Sequence, residues 1–212
     1  MKRSRKQWIN DTWLLALTSL VLSMYFVLDV PHAVVHMMNL PIDAQIPRFP
    51  IFAIPYLMYL PWLWGTLAYA WYKNLSFKQL AISYMVVDLV AFTCYLTYQT
   101  YIQRPPLIVH DFQSSVLQFI YSHDLPYSAF PSLHSAMSAV IATYFVCRRS
   151  KYAWAAVGMA ALIVVSTLFT KQHVIVDAIS GVTLGVVATW IVFRFLPSKE
   201  KIKPVVTVSE EA

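Results

Sequence analysis

Six runs of apolar residues, each long enough or nearly long enough to cross a bilayer core, are set apart along this chain by shorter polar and proline-bearing stretches. The runs cover residues 13–30, 51–72, 80–101, 131–147, 152–170 and 174–196. Only four glycines occur in the chain, and turn signals collect between the runs rather than inside them. Pro55 and Pro61 are the exceptions. Each removes a backbone N–H and crowds the preceding turn, so the second helix is expected to kink. The fourth run is the shortest, and its start at Pro131-Ser132 predicts a helix that begins below the outer surface.

Two connecting loops, 31–50 and 102–130, are long for so economical a chain, and long loops tend to be functional. The second carries an amphipathic patch over 112–121, which His110-Asp111 is expected to cap. The pattern therefore predicts an all-α polytopic membrane protein with six transmembrane helices. A basic segment (1–12) precedes the six-helix catalytic domain (13–197), and a polar, disordered tail (198–212) follows it. No internal repeat is visible.

Composition sharpens this picture. Apolar residues fill 58% of the 212 positions and charged residues 12%, about half the charged share of a soluble domain. Thirteen of the sixteen lysines and arginines fall in the N-terminal segment, the two return loops and the C-terminal end. With six spans these all lie on one side, so both termini are expected to be cytoplasmic. Arg48, Arg104 and Lys171 remain on the other side. The net charge of +6 is then a topology signal with some attraction to anionic lipid heads. No basic patch is interleaved with aromatics outside the runs, which argues against nucleic-acid binding. No small-residue cleavage pattern follows the first run, so an uncleaved span is expected rather than a signal peptide. Cys94 and Cys147 have neither metal-ligand nor disulfide-framework spacing.

The chemistry gathers at two short motifs. Phe130-Pro131-Ser132-Leu133-His134 opens the fourth run, and His173-Val174-Ile175-Val176-Asp177 opens the sixth. Each places a histidine where a membrane helix would start, on the outer side. Asp177 follows His173 by four residues, one helical turn away on the same face. Two histidines, a supporting carboxylate and nearby cations are the parts needed to attack and release a phosphate ester.

Arg104-Pro105, Pro131-Ser132-Leu133-His134 and His173-x-x-x-Asp177 resemble the three motifs of the type 2 phosphatidic acid phosphatase superfamily. The Phe-Pro-Ser-Leu-His-Ser version is most similar to the inositol phosphorylceramide synthase-like branch. The resemblance implies that His173 is the nucleophile, forming a phosphohistidine, and that Asp177 fixes its tautomer. It implies that His134 is the general acid and then the base. Ser132 with the N-terminus of the fourth helix, Arg104 and Lys171 would hold phosphate oxygens. Neither a metal nor a cofactor is implied. The chain departs from the family at Thr97 and Thr167, where a lysine and an arginine are usual, and at Leu133, where glycine is usual. Lys171 is placed to replace one missing cation.

Blander readings stand beside these. His134 or His173 alone reads as an interfacial structural residue, and catalysis follows only from their company. Lys171 reads otherwise as a snorkelling anchor. His32 and His36, with Asp29 nearby, lack a third ligand at matched spacing and read as interfacial polar residues rather than a metal pair. His123-Asp124 reads equally as an entrance lining or as a turn before Pro126. Asp88, deep within the third run, reads as a structural hydrogen bond or a protonated acid.

The expected function is a lipid phosphate phosphatase at the outer leaflet of the cell membrane, with the membrane lipid phosphate as its partner molecule. The alternative is a head-group phosphotransferase that passes the phosphoryl group to a lipid alcohol. A second alternative is a non-catalytic membrane scaffold. The chain leaves the oligomeric state open.

Overall fold

The computed structural model describes residues 3–31 and 33–196. Regular structure among them is helical, with isolated bridges at His36–Thr100 and Tyr101–Tyr127 as the only sheet-like pairings. Helix α1 (Arg5–Ser23) begins well before Trp13, through residues expected in the basic N-terminal segment. Ser4 and Gln7 explain the early start. The Ser4 hydroxyl accepts from the Gln7 backbone N–H at 3.2 Å, and the Gln7 side chain accepts from Ser4 N–H at 2.9 Å, satisfying two of the first turn's orphan donors. Arg3 pairs with the buried Asp11 at 3.3 Å, and Lys78 approaches the same carboxylate at 3.8 Å. The one-turn α2 (Tyr25–Leu28) continues the rod.

The second apolar run is broken as its prolines predict. A 3₁₀ turn (Pro50–Phe52) leads into α3 (Ala53–Leu57) and then α4 (Tyr59–Lys73), interrupted at Met58. Pro61 has no N–H to offer the Leu57 carbonyl one turn back. Next come α5 (Phe77–Thr97), the loop helix α6 (Phe112–His123), α7 (Leu133–Cys147), α8 (Ala153–Phe169) and α9 (Ile175–Phe195). Asp111 caps α6 as expected, accepting from Ser114 N–H at 2.7 Å.

Four of these segments, Arg5–Leu28, Pro50–Lys73, Phe77–Thr97 and Ile175–Phe195, are long and apolar enough to cross a membrane by length and composition. Helices α7 and α8 are apolar but shorter, at 15 and 17 residues. The shortness of α7 has a local cause. The residues before it are held out of helical conformation: the Thr100 hydroxyl accepts from Ala129 and Phe130 N–H, and Tyr95 OH donates to the Pro131 carbonyl at 2.8 Å.

Contacts sort the helix ends into two groups. At one end Arg3 reaches the Trp71 carbonyl, Tyr144 OH reaches the Leu75 carbonyl, and Gln79 bonds the Leu196 carbonyl. At the other, Gln99 bonds the Val30 carbonyl and Phe49 N–H bonds the Phe169 carbonyl. The six apolar segments therefore alternate in direction, and the cations of the return loops collect at the end opposite both histidine motifs.

Helix α7 is the centre, packed on α9, α8, α5 and α4, and ten of its fifteen residues are buried. Its contact with α9 is made through small residues. A methyl group at Gly181 would run into the Ser132 carbonyl oxygen, and one at Gly185 into that of Ala136. In lipid, where water does not drive helices together, such close backbone approach supplies the van der Waals contact that holds a pair. This spacing of glycines sets the distance between the two histidine motifs.

Candidate active site

The cap of α8 positions His173. Lys171 adopts a left-handed conformation, φ 58°, just past the helix end. Lys171 N–H bonds the Leu168 carbonyl at 3.1 Å and Gln172 N–H bonds the Thr167 carbonyl at 3.0 Å, the paired bonds that close a helix C-terminus. His173 N–H adds a bond to the same Thr167 carbonyl at 3.2 Å. Thr167 thus contributes its backbone here, while its hydroxyl turns back to the Val164 carbonyl.

His173 stands before α9 rather than on it, since Val174 is the extended N-cap. Asp177 still approaches the ring, across the cap instead of along a helical turn, but His173 Nδ1 has no hydrogen-bond partner among the described residues. His173 Nδ1 lies 3.6 Å from Asp177 Oδ2, an ion-pair separation just beyond hydrogen-bond reach. Asp177 is fully buried, and the same Oδ2 accepts from Val174 N–H at 3.1 Å. Its Oδ1 has no partner among the described residues. The carboxylate is fixed by the cap and aimed at the imidazole, which leaves Nε2 of His173 as the free face of the ring.

His134 sits in the first turn of α7. Its ring centroid is 5.8 Å from that of His173, so the fold brings together the two motif histidines. Tyr56 stacks on His134 at 4.3 Å and 27°, and Tyr59 lies at 4.3 Å and 44°. Helices α3 and α4 supply both tyrosines, neither of which the motifs single out.

The two histidines border different spaces. His173 and Lys171 line a cleft of about 510 Å³ with a mixed lining that includes Arg48, Asn39, Asp43 and Gln103. His134 lines a mostly apolar cavity of about 180 Å³ among α1, α2, α3, α4, α5 and α6. A group bridging the histidines would have one end in each.

The remaining expected residues fall as follows. Lys171 reaches the backbone carbonyls of Asp43 (3.0 Å) and Ile46 (2.5 Å), and burial pushes its ammonium below the ordinary lysine range against the pull of Asp43. Asp43 also accepts from Ile175 N–H at 2.9 Å, so the first long loop pins the start of α9. Ser132 is buried as the N-cap of α7, accepting from Ser135 N–H at 3.3 Å while its own N–H bonds the Asp177 carbonyl at 3.1 Å. Arg104 lies over the Tyr121 ring at 4.7 Å and spends its fork on the carbonyls of Tyr121 (3.3 Å) and Asp124 (2.8 Å). Its Nε is buried without a partner. In this conformation Ser132 and Arg104 brace the site's walls, and the cations lining the cleft are Lys171 and Arg48.

His36 stacks on Tyr98 at 3.9 Å, and His32 lies outside the described residues. Among the described residues no three His, Cys, Asp or Glu side chains group as a metal would require. Asp88 is 1% exposed and its Oδ2 has no partner there. It lines the apolar cavity.

An imidazole backed by a buried carboxylate, facing a second histidine at the boundary of a mixed and an apolar space, suits phosphoryl transfer. A family model described as the PAP2 superfamily matches residues 77–201. Neither the curated proteins nor the solved structures include a significant match.

Proposed function

This chain belongs to the PAP2 superfamily, whose match covers more than half its length, and we propose that it is a lipid phosphate phosphatase working through a phosphohistidine. It is a multi-pass membrane protein of a superfamily of phosphatases and phosphotransferases. The observation that carries the reading is the His134–His173 pair, 5.8 Å apart, with Asp177 behind His173.

Nε2 of His173 attacks phosphorus as the bond from phosphorus to the lipid alkoxide oxygen breaks. His134 gives its proton to that oxygen, and the lipid alcohol leaves on the apolar side. A water then enters, His134 takes its proton, and the new P–O bond forms as the P–N bond breaks. Asp177 stabilises the imidazolium character that His173 gains while phosphorylated. Lys171 and Arg48 offset the phosphate charge in the cleft. No step in this sequence calls for a metal. The alternation of basic and site-bearing ends supports six spans with both termini in the cytoplasm and the site on the extracytoplasmic face.

A second reading is favoured by the size of the cleft, about 510 Å³, which is in the range of small-molecule sites and has room for a head group beyond the phosphate. In that case the incoming nucleophile is a lipid alcohol and the enzyme is a head-group transferase, the reaction of the inositol phosphorylceramide synthase-like branch.

The test is incubation of the purified protein in lipid with phosphatidate, polyprenyl phosphate and phosphoinositide, with and without diacylglycerol or ceramide, beside His173→Ala. Free phosphate without an acceptor supports the phosphatase. A new phospholipid formed only with an acceptor supports the transferase. Equal activity in His173→Ala removes the proposed nucleophile, and inactivity of the wild type on every lipid leaves the scaffold.

A further inference from the structure

We propose that Asp124 is a positioning residue for His134, acting through Tyr56, so that each histidine of the pair has a carboxylate of its own. The inference rests on the reading of His134 as general acid and base.

Asp124 is held in place from both sides of its backbone. It is the C-cap of α6, with its N–H on the Ile120 carbonyl at 2.9 Å, and its own carbonyl accepts from Arg104 at 2.8 Å. Both side-chain oxygens are taken by phenols. Tyr25 OH donates to Oδ1 at 2.8 Å and Tyr56 OH donates to Oδ2. Tyr56 then lays its ring on His134 at 4.3 Å. Tyr56, Tyr59 and His173 each place a ring against that of His134.

A histidine that must carry a proton here has aromatic faces around it in place of water. Two things replace the water. The faces of the flanking phenols attract an imidazolium through their negative quadrupoles. Tyr56 is also polarised, because a phenol that donates to a carboxylate presents a more electron-rich ring. The charge of Asp124 therefore reaches His134 through the ring stacked on it. Asp124 carries no proton in either step. The proton leaves His134 for the lipid alkoxide and returns from the incoming water.

Other groups face His134 as well. Tyr25, Tyr59, Asp88 and His123 share its cavity, and His173 with Asp177 stands on the opposite side. Asp29 is a second carboxylate beside Asp124. It accepts from Leu125 N–H at 3.1 Å and has no hydrogen bond to Tyr56 among the described residues, so it serves as the control.

The experiment uses the full-length protein in lipid nanodiscs with ¹⁵N-labelled histidine, the His134 signals being assigned by their loss in His134→Gln. Imidazole titrations are compared for wild type, Asp124→Asn, Tyr56→Phe and Asp29→Asn. Asp124→Asn is expected to lower the His134 midpoint by about one pH unit, the effect of a removed counter-charge at close range. Tyr56→Phe should lower it by less, and Asp29→Asn by less than either. The alkaline limb of kcat/KM for phosphate release from dioleoyl phosphatidate should move with the midpoint. An unmoved midpoint in both Asp124→Asn and Tyr56→Phe overturns the proposal. So does an Asp29→Asn shift as large as that of Asp124→Asn, because the coupling would then bypass Tyr56. If Asp124→Asn does not fold, Tyr56→Phe decides alone. A wild type inactive on every lipid phosphate removes the catalytic reading, while the titrations still decide whether Asp124 governs His134.

Discussion

The backbone N–H of Ser132 donates to the backbone carbonyl of Asp177 at 3.1 Å. That bond ties the segment before α7 to the first turn of α9. His134 lies two residues beyond one partner and His173 four residues before the other, so their separation follows from main chain rather than from flexible side chains. Gly181 and Gly185 keep the helices close along the same seam.

Widening that seam should uncouple the histidines. Gly181→Ala puts a methyl into the Ser132 carbonyl, whereas Gly65→Ala meets nothing within 4 Å. Overpacking of this kind costs about 1–3 kcal/mol. Thermal unfolding in detergent should show a lower Tm for Gly181→Ala, and kcat should fall while KM changes little. Gly65→Ala should match wild type in both, and equal behaviour of the two variants would remove the packing argument.

Asp177→Asn should leave the fold intact and lower kcat by roughly two orders of magnitude or more, as loss of an orienting carboxylate does in other histidine-based sites. The amide can still accept from Val174 N–H but no longer offers charge to the phosphorylated imidazole. Single-turnover trapping of phosphohistidine should report the loss in the first step. Unchanged formation of the intermediate would remove Asp177 from that role.

Lys171 is expected to set an alkaline limit on binding. Its ammonium is pushed below the ordinary lysine range by burial, so it loses its charge at a lower pH than a free lysine. KM for a lipid phosphate should rise as the pH climbs toward 10.5. Lys171→Arg should hold KM flat to higher pH, because guanidinium stays protonated. Lys171→Met should raise KM roughly tenfold already at neutral pH, the scale of a charge-assisted hydrogen bond. Substrate titrations across pH distinguish this from a snorkelling anchor, for which neither substitution would alter KM.

Asp88 gives the opposite expectation for stability. Its buried Oδ2 has no partner to lose among the described residues, and an unpaired buried polar group costs free energy. Asp88→Asn is therefore expected to leave Tm unchanged or raise it. A drop in Tm would mean that the carboxylate holds a partner in the membrane-embedded protein.

Addition of EDTA should leave phosphate release unchanged, since His134, His173 and the flanking cations supply the proposed proton transfers and charge stabilisation. A rate that vanishes with EDTA and returns with a divalent ion would contradict the mechanism.

What the chain determined by itself is local. The apolar runs, the break forced by Pro61, the cap at Asp111 and the reach from His173 to Asp177 all depend on residues within a few positions of one another. Their physics is that of hydrogen-bonded turns and hydrophobic length, which sequence spacing encodes directly. Even there the structure altered the means: His173 meets Asp177 across a helix cap, because the closing bonds of α8 run on into the residues that precede α9.

Only tertiary structure decided what surrounds the histidines. Tyr56 and Tyr59 reach His134 from the second apolar segment, Asp124 reaches Tyr56 from the end of α6, and Asp43 and Arg48 join Lys171 from the first long loop. In the sequence these are an ordinary interfacial tyrosine pair, a turn residue and two loop charges. Nothing in their spacing marks them, because their roles come from helix crossings set by small residues such as Gly181. The same crossings turned Arg104 toward the carbonyls of α6, where its fork finds fixed acceptors. A motif can name the group that reacts, but the neighbours that set its proton and its charge are chosen by packing.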